Sequence, residues 1–355
     1  MAICGSFDMK LVTPALQIVS SDNKGSKSKQ LTTRTRKGTF FLKKRDGSLE
    51  IVDIPFFSAE SIRGMVRRAT AKEVMRRIIE NSNGKKFSPK TVHMFIDGGL
   101  TSLSKGLTFD LWSEWREKFP FAYIFGVGLA LPGKLVIQDA LPIIDKEYVH
   151  LSECNDECIA KVKQIRRTTI SGTKDDILNR ESYIYDFISL EDVKKWEDEA
   201  TQVAQERTEA TKKNIEEKES KLSSQSWQEI EYVAPGSEFR SEITVSDNDL
   251  TNAEIGGIVV VFSKLAEIRR IGANQRKNWG LFNFNGKLTA EINGEKLTAT
   301  AVRKVSNAFL NDDEQFGVDI AKFADFVDEF WSAIDKLTVD DVEQFRELME
   351  KEDKK

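Results

Sequence analysis

The spacing of apolar and polar residues predicts six core elements along the chain. Their order is strand, helix, strand, strand, helix, strand, which is the order of the ferredoxin-like (RNA-recognition-motif) topology. We therefore predict an α+β fold with this core. The six elements are expected at about 7–18, 58–80, 133–142, 237–246, 250–271 and 280–292.

Three stretches between the core elements are long enough to be insertions. The first carries a basic loop and a hairpin, and the second is helical and aromatic. The third combines a protruding hairpin, centred on Ser171 and Gly172, with a long charged helix at 189–222. We predict one unit at 1–310 and a C-terminal helical segment at 311–355. The insertions in the first unit are expected at 20–55, 82–130 and 150–230.

The first predicted helix combines a capping residue, an apolar face and several arginines. Ser58 is a suitable N-cap, because its hydroxyl can accept a hydrogen bond from a backbone N–H of the first turn. A core face is predicted by the helical spacing of Ile62, Val66 and Ala69. Arginines project from other sides, and a helix N-terminus favours anions, so this turn can hold a phosphodiester. An ordinary amphipathic helix with a solvated basic face explains the same pattern equally well.

Residues 20–45 form a basic stretch in which Asp22 is the only acid. A run of cations beside a strand is a good electrostatic clamp for a phosphate backbone. A solvated, disordered loop is the alternative. The stretch leads into a hairpin signal, with strands at 39–42 and 49–52 around Asp46 and Gly47.

The region after the first helix contains a misleading motif. Residues 109–119 carry an aromatic cluster, which we interpret as packing rather than base stacking. Residues 128–134 then spell Gly-x-x-x-x-Gly-Lys, the core of a phosphate-binding loop. However, Leu135 stands where that loop needs Ser or Thr for magnesium, and the following residues alternate like a strand. We therefore reject a nucleotide site and predict a strand.

Composition narrows the possible functions. The net charge is -4, so nucleic-acid binding must rest on local patches. We find no signal-peptide pattern and no apolar run long enough to span a membrane, so we expect a cytoplasmic protein without a membrane partner. Three cysteines argue against a disulfide framework. Cys154 and Cys158 lack nearby histidines, so we expect no metal and no cofactor.

Four stretches resemble the motifs of one family, the backbone proteins of CRISPR effector complexes in the RAMP superfamily. Residues 54–68 resemble Ile-Pro-x-x-x-Ala-x-Ser-Ile-Arg-Gly-x-x-Arg-Arg, and residues 125–140 resemble Phe-Gly followed by Gly-x-Leu-x-Ile-x-Asp-Ala. Residues 233–239 resemble Val-x-Pro-Gly-x-x-Phe, and a glycine-rich loop at 271–280 resembles Ile-Gly-x-x-x-x-x-x-x-Gly. The resemblance covers roughly 1–300 and is greatest to the type IV backbone protein, with the type I-D and type III proteins as near neighbours.

The resemblance implies a subunit that binds CRISPR guide RNA. It also implies further copies of the chain along the RNA, other effector subunits, and complementary target DNA or RNA as partners. The hairpin after residue 160 would be the thumb that crosses the guide, although the usual arginine-threonine-glycine spacing is only approximately kept. Loops, rather than aromatic residues on the sheet, should contact RNA. The RNA-binding residues that we predict are Lys29, Arg34, Arg36, Lys37, Ser61, Arg63, Gly64, Arg67, Arg68, Arg166, Arg167, Thr168, Thr169, Lys174, Arg269, Arg270, Gly272, Asn274, Arg276 and Lys277.

Two other functions stay open at this point. Type III backbone proteins cleave target RNA with an aspartate that follows the first strand, and the candidates here are Asp22 and Asp46. His93 and His150 are the only histidines, and neither lies in a basic motif. We therefore predict a structural RNA-binding subunit without catalytic residues. The remaining alternative is a protein-interaction scaffold that uses the 189–222 helix.

Overall fold

A computed structural model describes most of the chain. The described residues are 2–17, 32–33, 35–43, 49–98, 109–127, 131–143, 161–167, 226–246, 249–273, 275, 278–307 and 312–350. All structural statements below concern these residues.

The described residues form both strands and helices. The strands are β1 Ala2–Leu11, β2 Thr32–Thr33, β3 Lys37–Lys43, β4 Leu49–Pro55, β5 Leu135–Ile137, β6 Leu141–Pro142, β7 Lys161–Arg167, β8 Ser226–Tyr232, β9 Glu238–Val245, β10 Phe282–Ile292, β11 Glu295–Asn307 and β12 Asp312–Asp319. The helices are α1 Ala59–Asn81, α2 Pro89–Asp97, α3 Phe109–Lys118, α4 Pro120–Phe125, α5 Asn252–Glu267, α6 Ala324–Asp335 and α7 Val339–Glu350, with a 3₁₀ turn at Ala321–Phe323.

The central sheet has the strand order β12-β11-β10-β1-β9-β5, and β6 also pairs with β9. Within it, β1 runs antiparallel to β10 on one side and to β9 on the other. The first helix, α1, comes between β1 and β5 in the chain, and α5 comes between β9 and β10. This arrangement is ferredoxin-like, which confirms the predicted α+β fold.

Both core helices pack on the same face of the sheet. Along β1, Phe7 and Met9 are buried, whereas Ser6 and Lys10 are exposed, so side chains of alternating burial point to opposite faces. On α1, Ile62 and Val66 are buried as predicted, and Ala69 is half-buried. An ion pair of 2.8 Å between Lys264 of α5 and Glu73 of α1 joins the two helices.

The helical insertion and the C-terminal helices complete this layer. The predicted aromatic cluster packs rather than stacks on a ligand, because Trp115 and Phe119 are buried against the Phe345 ring of α7. Glu343 of α7 accepts hydrogen bonds of 2.7 Å from the Ser88 backbone N–H and the Thr91 hydroxyl at the start of α2. The C-terminal helices are therefore docked on the body.

The structure also differs from the sequence prediction in its strands. β1 ends at Leu11 instead of continuing to residue 18, because residues 12–17 leave the ladder around Pro14, which has no N–H to donate. The sheet continues beyond β10 with β11 and β12, which the spacing did not predict. β12 belongs to the segment at 311–355 that we expected to be only helical.

The predicted protruding hairpin is built differently from our expectation. We expected two arms around Ser171 and Gly172, but β7 pairs antiparallel with β8, from Lys161 opposite Tyr232 to Arg167 opposite Ser226. The chain between these arms, including the 189–222 stretch, lies outside the described residues. By contrast, the hairpin of β3 and β4 pairs as predicted.

Candidate nucleic-acid interface

Residues 14–17, directly after β1, form a short segment that four other parts of the chain contact. We call it the junction segment. Ala15, Leu16 and Gln17 are buried in it, although no strand or helix supplies their backbone partners. Because buried backbone polar groups need hydrogen-bond partners, the segment takes them from neighbouring loops. Those loops are the parts of the chain for which we predicted RNA binding.

The glycine-rich loop lies directly against the junction segment. The backbone N–H of Gly280 donates to the Pro14 carbonyl at 2.7 Å, and that of Ala273 donates to the Leu16 carbonyl at 2.6 Å. Gly272 and Gly280 have φ angles of +82° and +77°, and a Cβ on Gly272 would overlap the Leu16 carbonyl oxygen. These glycines are therefore required for a close approach of two protein segments. Gly272, which we predicted to bind RNA, is thus in close contact with protein backbone.

The hairpin of β7 and β8 is anchored at the same place. The backbone groups of Ala15 and Val233 bond to each other in both directions, at 3.1 and 2.8 Å, and Val233 directly follows β8. The rings of Tyr232 and Trp279 meet edge to face with centroids 5.6 Å apart, which joins the hairpin to the glycine-rich loop. The junction segment thus fixes the base of the hairpin.

The start of α1 is held by the last residue of the junction segment. The Gln17 amide nitrogen donates to the hydroxyls of Ser58 and Ser61, at 2.7 and 3.0 Å, and its carbonyl oxygen accepts the Ser58 backbone N–H at 2.9 Å. Ser58 is the N-cap as predicted, with its hydroxyl accepting the Ser61 backbone N–H. The Ser61 side chain, which we predicted to bind RNA, therefore belongs to a hydrogen-bond network within the protein.

Arg36 brings the basic loop back to the junction segment. Its backbone N–H donates to the Gln17 carbonyl at 2.7 Å, and its own carbonyl accepts the Phe56 N–H at 3.3 Å. The guanidinium lies over the Phe56 ring, 5.3 Å from the centroid, and 3.9 Å from a carboxylate oxygen of Glu60. With 42% of its side chain exposed, Arg36 presents a positive charge beside the first turn of α1.

A carboxylate of the protein's own chain occupies the N-terminus of α1. Asp139, in the bend between β5 and β6, accepts the backbone N–H of Ala59 at 2.6 Å. A carboxylate at this position satisfies an orphan donor and interacts favourably with the helix dipole. The anion that we expected at this turn is thus supplied by the protein itself, and a phosphate would have to displace it.

Two of the predicted RNA-binding arginines on α1 point into the protein. Arg67 donates to the carbonyls of Phe95, Met94 and Phe125 at 2.7, 2.7 and 3.1 Å, and Arg63 donates to the Phe125 carbonyl at 2.6 Å. These carbonyls lie at the C-terminal ends of α2 and α4, where unpaired acceptors and the negative ends of the helix dipoles attract cations.

The burial of Arg67 corrects its predicted role. Only 6% of the residue is exposed, and burial, with a smaller contribution from the charge of Arg63, lowers its pKa to about 9. Burial also lowers the pKa of Arg63. Arg67 is a structural residue in this conformation, and it cannot contact phosphate without leaving three carbonyls. Gly64 has no side chain, and the Arg68 guanidinium lies close to where its Cβ would be.

Two further pairs of predicted cations lie in the described chain, one beside the glycine-rich loop and one at the end of the β7–β8 hairpin that is distant from the junction segment. Arg269 and Arg270 are half-buried between α5 and the glycine-rich loop. Burial lowers the pKa of Arg270, and the neighbouring charge of Arg269 lowers it further, so an anion beside the pair would be stabilised. Arg166 and Arg167 lie at the end of β7, opposite the first residues of β8.

Several predicted residues lie outside the described part of the chain. The RNA-binding candidates among them are Lys29, Arg34, Thr168, Thr169, Lys174, Asn274, Arg276 and Lys277. Asp22, Asp46, His150, Cys154 and Cys158 lie outside it as well. Their roles stay as predicted from the sequence.

Lys134, the lysine of the rejected phosphate-loop motif, is part of a buried ion-pair cluster. Its ammonium lies 3.1 Å from Glu254, which is fully buried and also receives two hydrogen bonds from Arg116, at 3.1 and 2.9 Å. Burial alone would lower the pKa of Arg116, but its hydrogen bonds to Glu254 and Asp249 outweigh it and raise the pKa. Lys134 is followed by a strand, β5, as predicted.

The open face of the sheet carries ion pairs rather than a base-stacking platform. Lys10 binds Glu238 at 2.8 Å, and Arg240 binds Asp8 through two hydrogen bonds of 2.7 and 2.9 Å. At the outward positions of β1, β9 and β10 in the described chain there is no aromatic residue. These described strands therefore offer no aromatic surface on which bases could stack, and the prediction that loops contact RNA stays a prediction.

A search of the described residues for other kinds of site gives two negative findings. It finds no group of three or more His, Cys, Asp or Glu side chains that is arranged to hold a metal ion. Within the same residues, none of the helices is long and apolar enough to cross a membrane.

Sequence reasoning missed the residues that assemble this site. Thr13 and Gln17 follow β1, and the sequence does not show which residues they contact. The Thr13 hydroxyl accepts the Leu281 backbone N–H at 2.9 Å. Asp139 was recognised only as part of a motif. A polar residue directly after a strand, or before a short strand, is the available signal, but it does not identify a partner far away in the chain.

Comparisons with known proteins give a likeness of structure but no match of sequence. No family profile matches the chain. No curated protein matches it either. A chain of a solved structure described as a Type IV-B CRISPR Complex aligns with a TM-score of 0.43 and 14% sequence identity. The alignment covers 80% of this chain and 90% of that chain.

Proposed function

We propose that this protein is a CRISPR effector subunit that binds guide RNA as a repeating backbone protein. One observation supports this most strongly. The basic loop, the first helix, the β7–β8 hairpin and the glycine-rich loop are distant in sequence, and all four meet at the junction segment. A role in packing alone does not require these four cationic elements to share one place.

The positions of the four motifs that resemble the backbone family also support the proposal. The first forms the end of β4 and the start of α1, and the second ends in β5 and the bend at Asp139. The third forms the turn before β9, and the fourth links α5 to β10. Each motif therefore lies at a connection of the ferredoxin-like core, and these connections surround the junction segment.

The cations around the junction segment would hold the sugar-phosphate backbone. In the described chain these are Arg36, Lys37 and the half-buried pair Arg269 and Arg270, and the arginines at the end of β7 would hold the RNA farther along the hairpin. Contacts of this kind fix position and carry no sequence information. Target recognition would then rest on base pairing by the guide. In this proposal further copies of the chain bind along the same RNA, and the subunit has no catalytic role.

The first experiment is sequencing of RNA that co-purifies when the protein is expressed with its neighbouring genes. We expect short RNAs with constant flanks around a variable spacer, protected at regular intervals. Heterogeneous RNA, or none, would contradict the proposal and favour the protein-interaction scaffold. Metal-dependent cleavage of paired target RNA that is lost in Asp22→Ala would contradict a purely structural role.

A charge-reversal pair tests the site itself. Arg36→Glu with Lys37→Glu should weaken binding of the co-purified RNA and reduce its salt dependence, because phosphate contacts release counterions. The matched control, Lys322→Glu with Lys336→Glu, changes the net charge equally at two exposed positions near the C-terminal helices. Equal weakening by both pairs would mean that overall charge, rather than the junction segment, governs binding.

A further inference from the structure

Helix α1 carries a straight row of cations on its solvent side. Arg68, Lys72 and Arg76 follow one another at intervals of four residues, so they lie on one face and rise by about 6 Å per step. Lys72 and Arg76 are exposed, and Arg68 is half-buried. We call these three residues the α1 stripe. Only Arg68 was among the cations that the sequence suggested for RNA.

The neighbouring helix extends this positive surface. Helix α2 follows α1 through a short turn, and Lys86 and Lys90 are exposed at its start. His93 and Asp97 pair at 2.8 Å on the same helix. Their hydrogen bond raises the pKa of His93, and it is the main cause of a lowered pKa of Asp97, to which Arg68 contributes less.

The stripe is a fixed surface that begins close to the junction segment. Underneath it, Arg67 binds the carbonyls of Met94 and Phe95 and so holds α2 against α1. Residues spaced four apart on α1 run from Glu60, which lies beside Arg36, through Gly64 to Arg68. The cations of the stripe therefore follow the helix away from the junction segment. The last member of the row is an acid, Glu80, which ends the positive surface.

We propose that the α1 stripe, with Lys90 beside it, binds the phosphates of a single-stranded nucleic acid that continues beyond the junction segment. The inference rests on the proposed function, because it extends the same RNA path. A row of separate cations without aromatic residues matches a polyanion with regularly spaced charges and holds it without reading its sequence. The continuity with Arg36 favours nucleic acid over an acidic surface of another protein.

The test measures binding of a fluorescein-labelled oligouridine strand by the whole protein at several salt concentrations. The variant carries Arg68→Ala, Lys72→Ala and Arg76→Ala together. The slope of log affinity against log salt should become shallower by about 2, since each phosphate contact to a single strand contributes about 0.7. The matched control replaces Lys287, Lys296 and Lys304, three exposed lysines of β10 and β11, by Ala and should keep the slope.

The outcomes separate this inference from the proposed function. If the stripe variant keeps the wild-type slope while Arg36→Ala with Lys37→Ala makes it shallower, the inference fails and the proposed function stands. If the wild-type protein does not bind the strand, both fail. The inference is also overturned if the control variant makes the slope shallower by the same amount. It is overturned as well if the stripe variant loses self-association while it keeps the slope. The double variant Lys72→Ala with Arg76→Ala, at two exposed positions, should still make the slope shallower by about 1 if the triple variant folds poorly.

Discussion

Helix α1 has two basic faces with opposite roles. Arg67 is buried and donates to three carbonyls, whereas Arg68, the next residue, is half-buried beside Asp97 and belongs to the solvent-side stripe. Successive residues of a helix are rotated by about a quarter turn or more, so neighbouring arginines face different surroundings. The same motif letters therefore specify a structural cation and a surface cation.

The difference shows that a basic motif has to be divided by helix phase before it is used as a binding site. Arg63 and Arg67 are four residues apart and share the inward face, where the C-terminal carbonyls of α2 and α4 need donors. The cations of the outward face lie at the surface instead, where Lys72 and Arg76 are exposed and Arg68 is half-buried. The experiments below test this division, beginning with the largest expected effect.

The sharpest test compares Arg67→Met with Arg68→Met. We expect Arg67→Met to lower the free energy of unfolding by about 3 kcal/mol, because it removes three hydrogen bonds of a buried guanidinium and leaves the Phe95 carbonyl without its donor. Arg68→Met should cost about 0.5 kcal/mol or less, as is usual for substitutions near the surface. Chemical denaturation measures both values. Equal costs would abolish the distinction between the two faces.

Arg63→Met should give an intermediate loss of about 1 kcal/mol. Arg63 makes one hydrogen bond, to Phe125, and is half-buried, so fewer acceptors are stranded than at Arg67. Thermal unfolding of Arg63→Met and of the Arg63→Lys control measures the loss. A cost as large as that of Arg67→Met would show that the cost of replacing an inward arginine does not depend on how deeply it is buried.

Asp139→Ala tests whether the N-terminus of α1 is closed by the protein. We expect a loss of about 1 kcal/mol, because the Ala59 N–H loses its acceptor and the helix dipole loses a negative charge. Asp139→Asn, which keeps an acceptor oxygen, should recover part of it. If RNA affinity rises in Asp139→Ala while stability is unchanged, the helix terminus is an anion site after all.

The smallest expected effect concerns His93 on the outward side. The hydrogen bond to Asp97 raises the pKa of His93 above its ordinary 6.5, so its stabilising contribution is full below pH 6.5 and is lost as pH rises through the raised value. The pKa of Asp97 is lowered from 3.8, so its contribution is lost as pH falls through the lowered value. Both groups are substantially exposed, so we expect about 0.5 kcal/mol or less.

Denaturation midpoints of the wild type and of His93→Gln check this pH dependence when they are measured from below the lowered pKa of Asp97 to above the raised pKa of His93. The wild type should lose stability relative to the variant as pH rises above neutrality. Parallel curves would mean that the pair contributes nothing measurable, and the outward face would then be purely a charged surface.

The sequence predicted the core order well because long periodic stretches dominate it. Helix α1, its cap at Ser58 and the strand at Phe282–Ile292 follow from spacing and local capping alone. The partner of β7 did not follow, since pairing with Ser226–Tyr232 depends on a contact across an insertion. β11 was missed although its burial alternates, because its inward positions include the small residues Ala299 and Ala301 and the charged Arg303. β12 was missed because it is rich in polar residues.

The sequence predicted which elements belong to the site but not how their side chains are arranged. That the basic loop and the glycine-rich loop belong to one place followed from the family resemblance. The inward turn of Arg67 did not, because the carbonyls that it binds come from α2 and α4. The local signal at Gln17, a polar residue after a strand, does not identify Ser58 and Ser61 as its partners.

The hydrogen bond between the Arg36 N–H and the Gln17 carbonyl has a consequence for how the protein can change in evolution. The chain leaves the junction segment at Gln17 and returns to the same residue at Arg36, so the intervening loop begins and ends at a fixed point. Closing a loop costs only about 0.6 kcal/mol more for each doubling of its length. β2, shortly before Arg36, pairs with β8, so insertions and deletions are nearly neutral for the fold only between Gln17 and β2. There natural variants can adjust the number of cations without rebuilding the site.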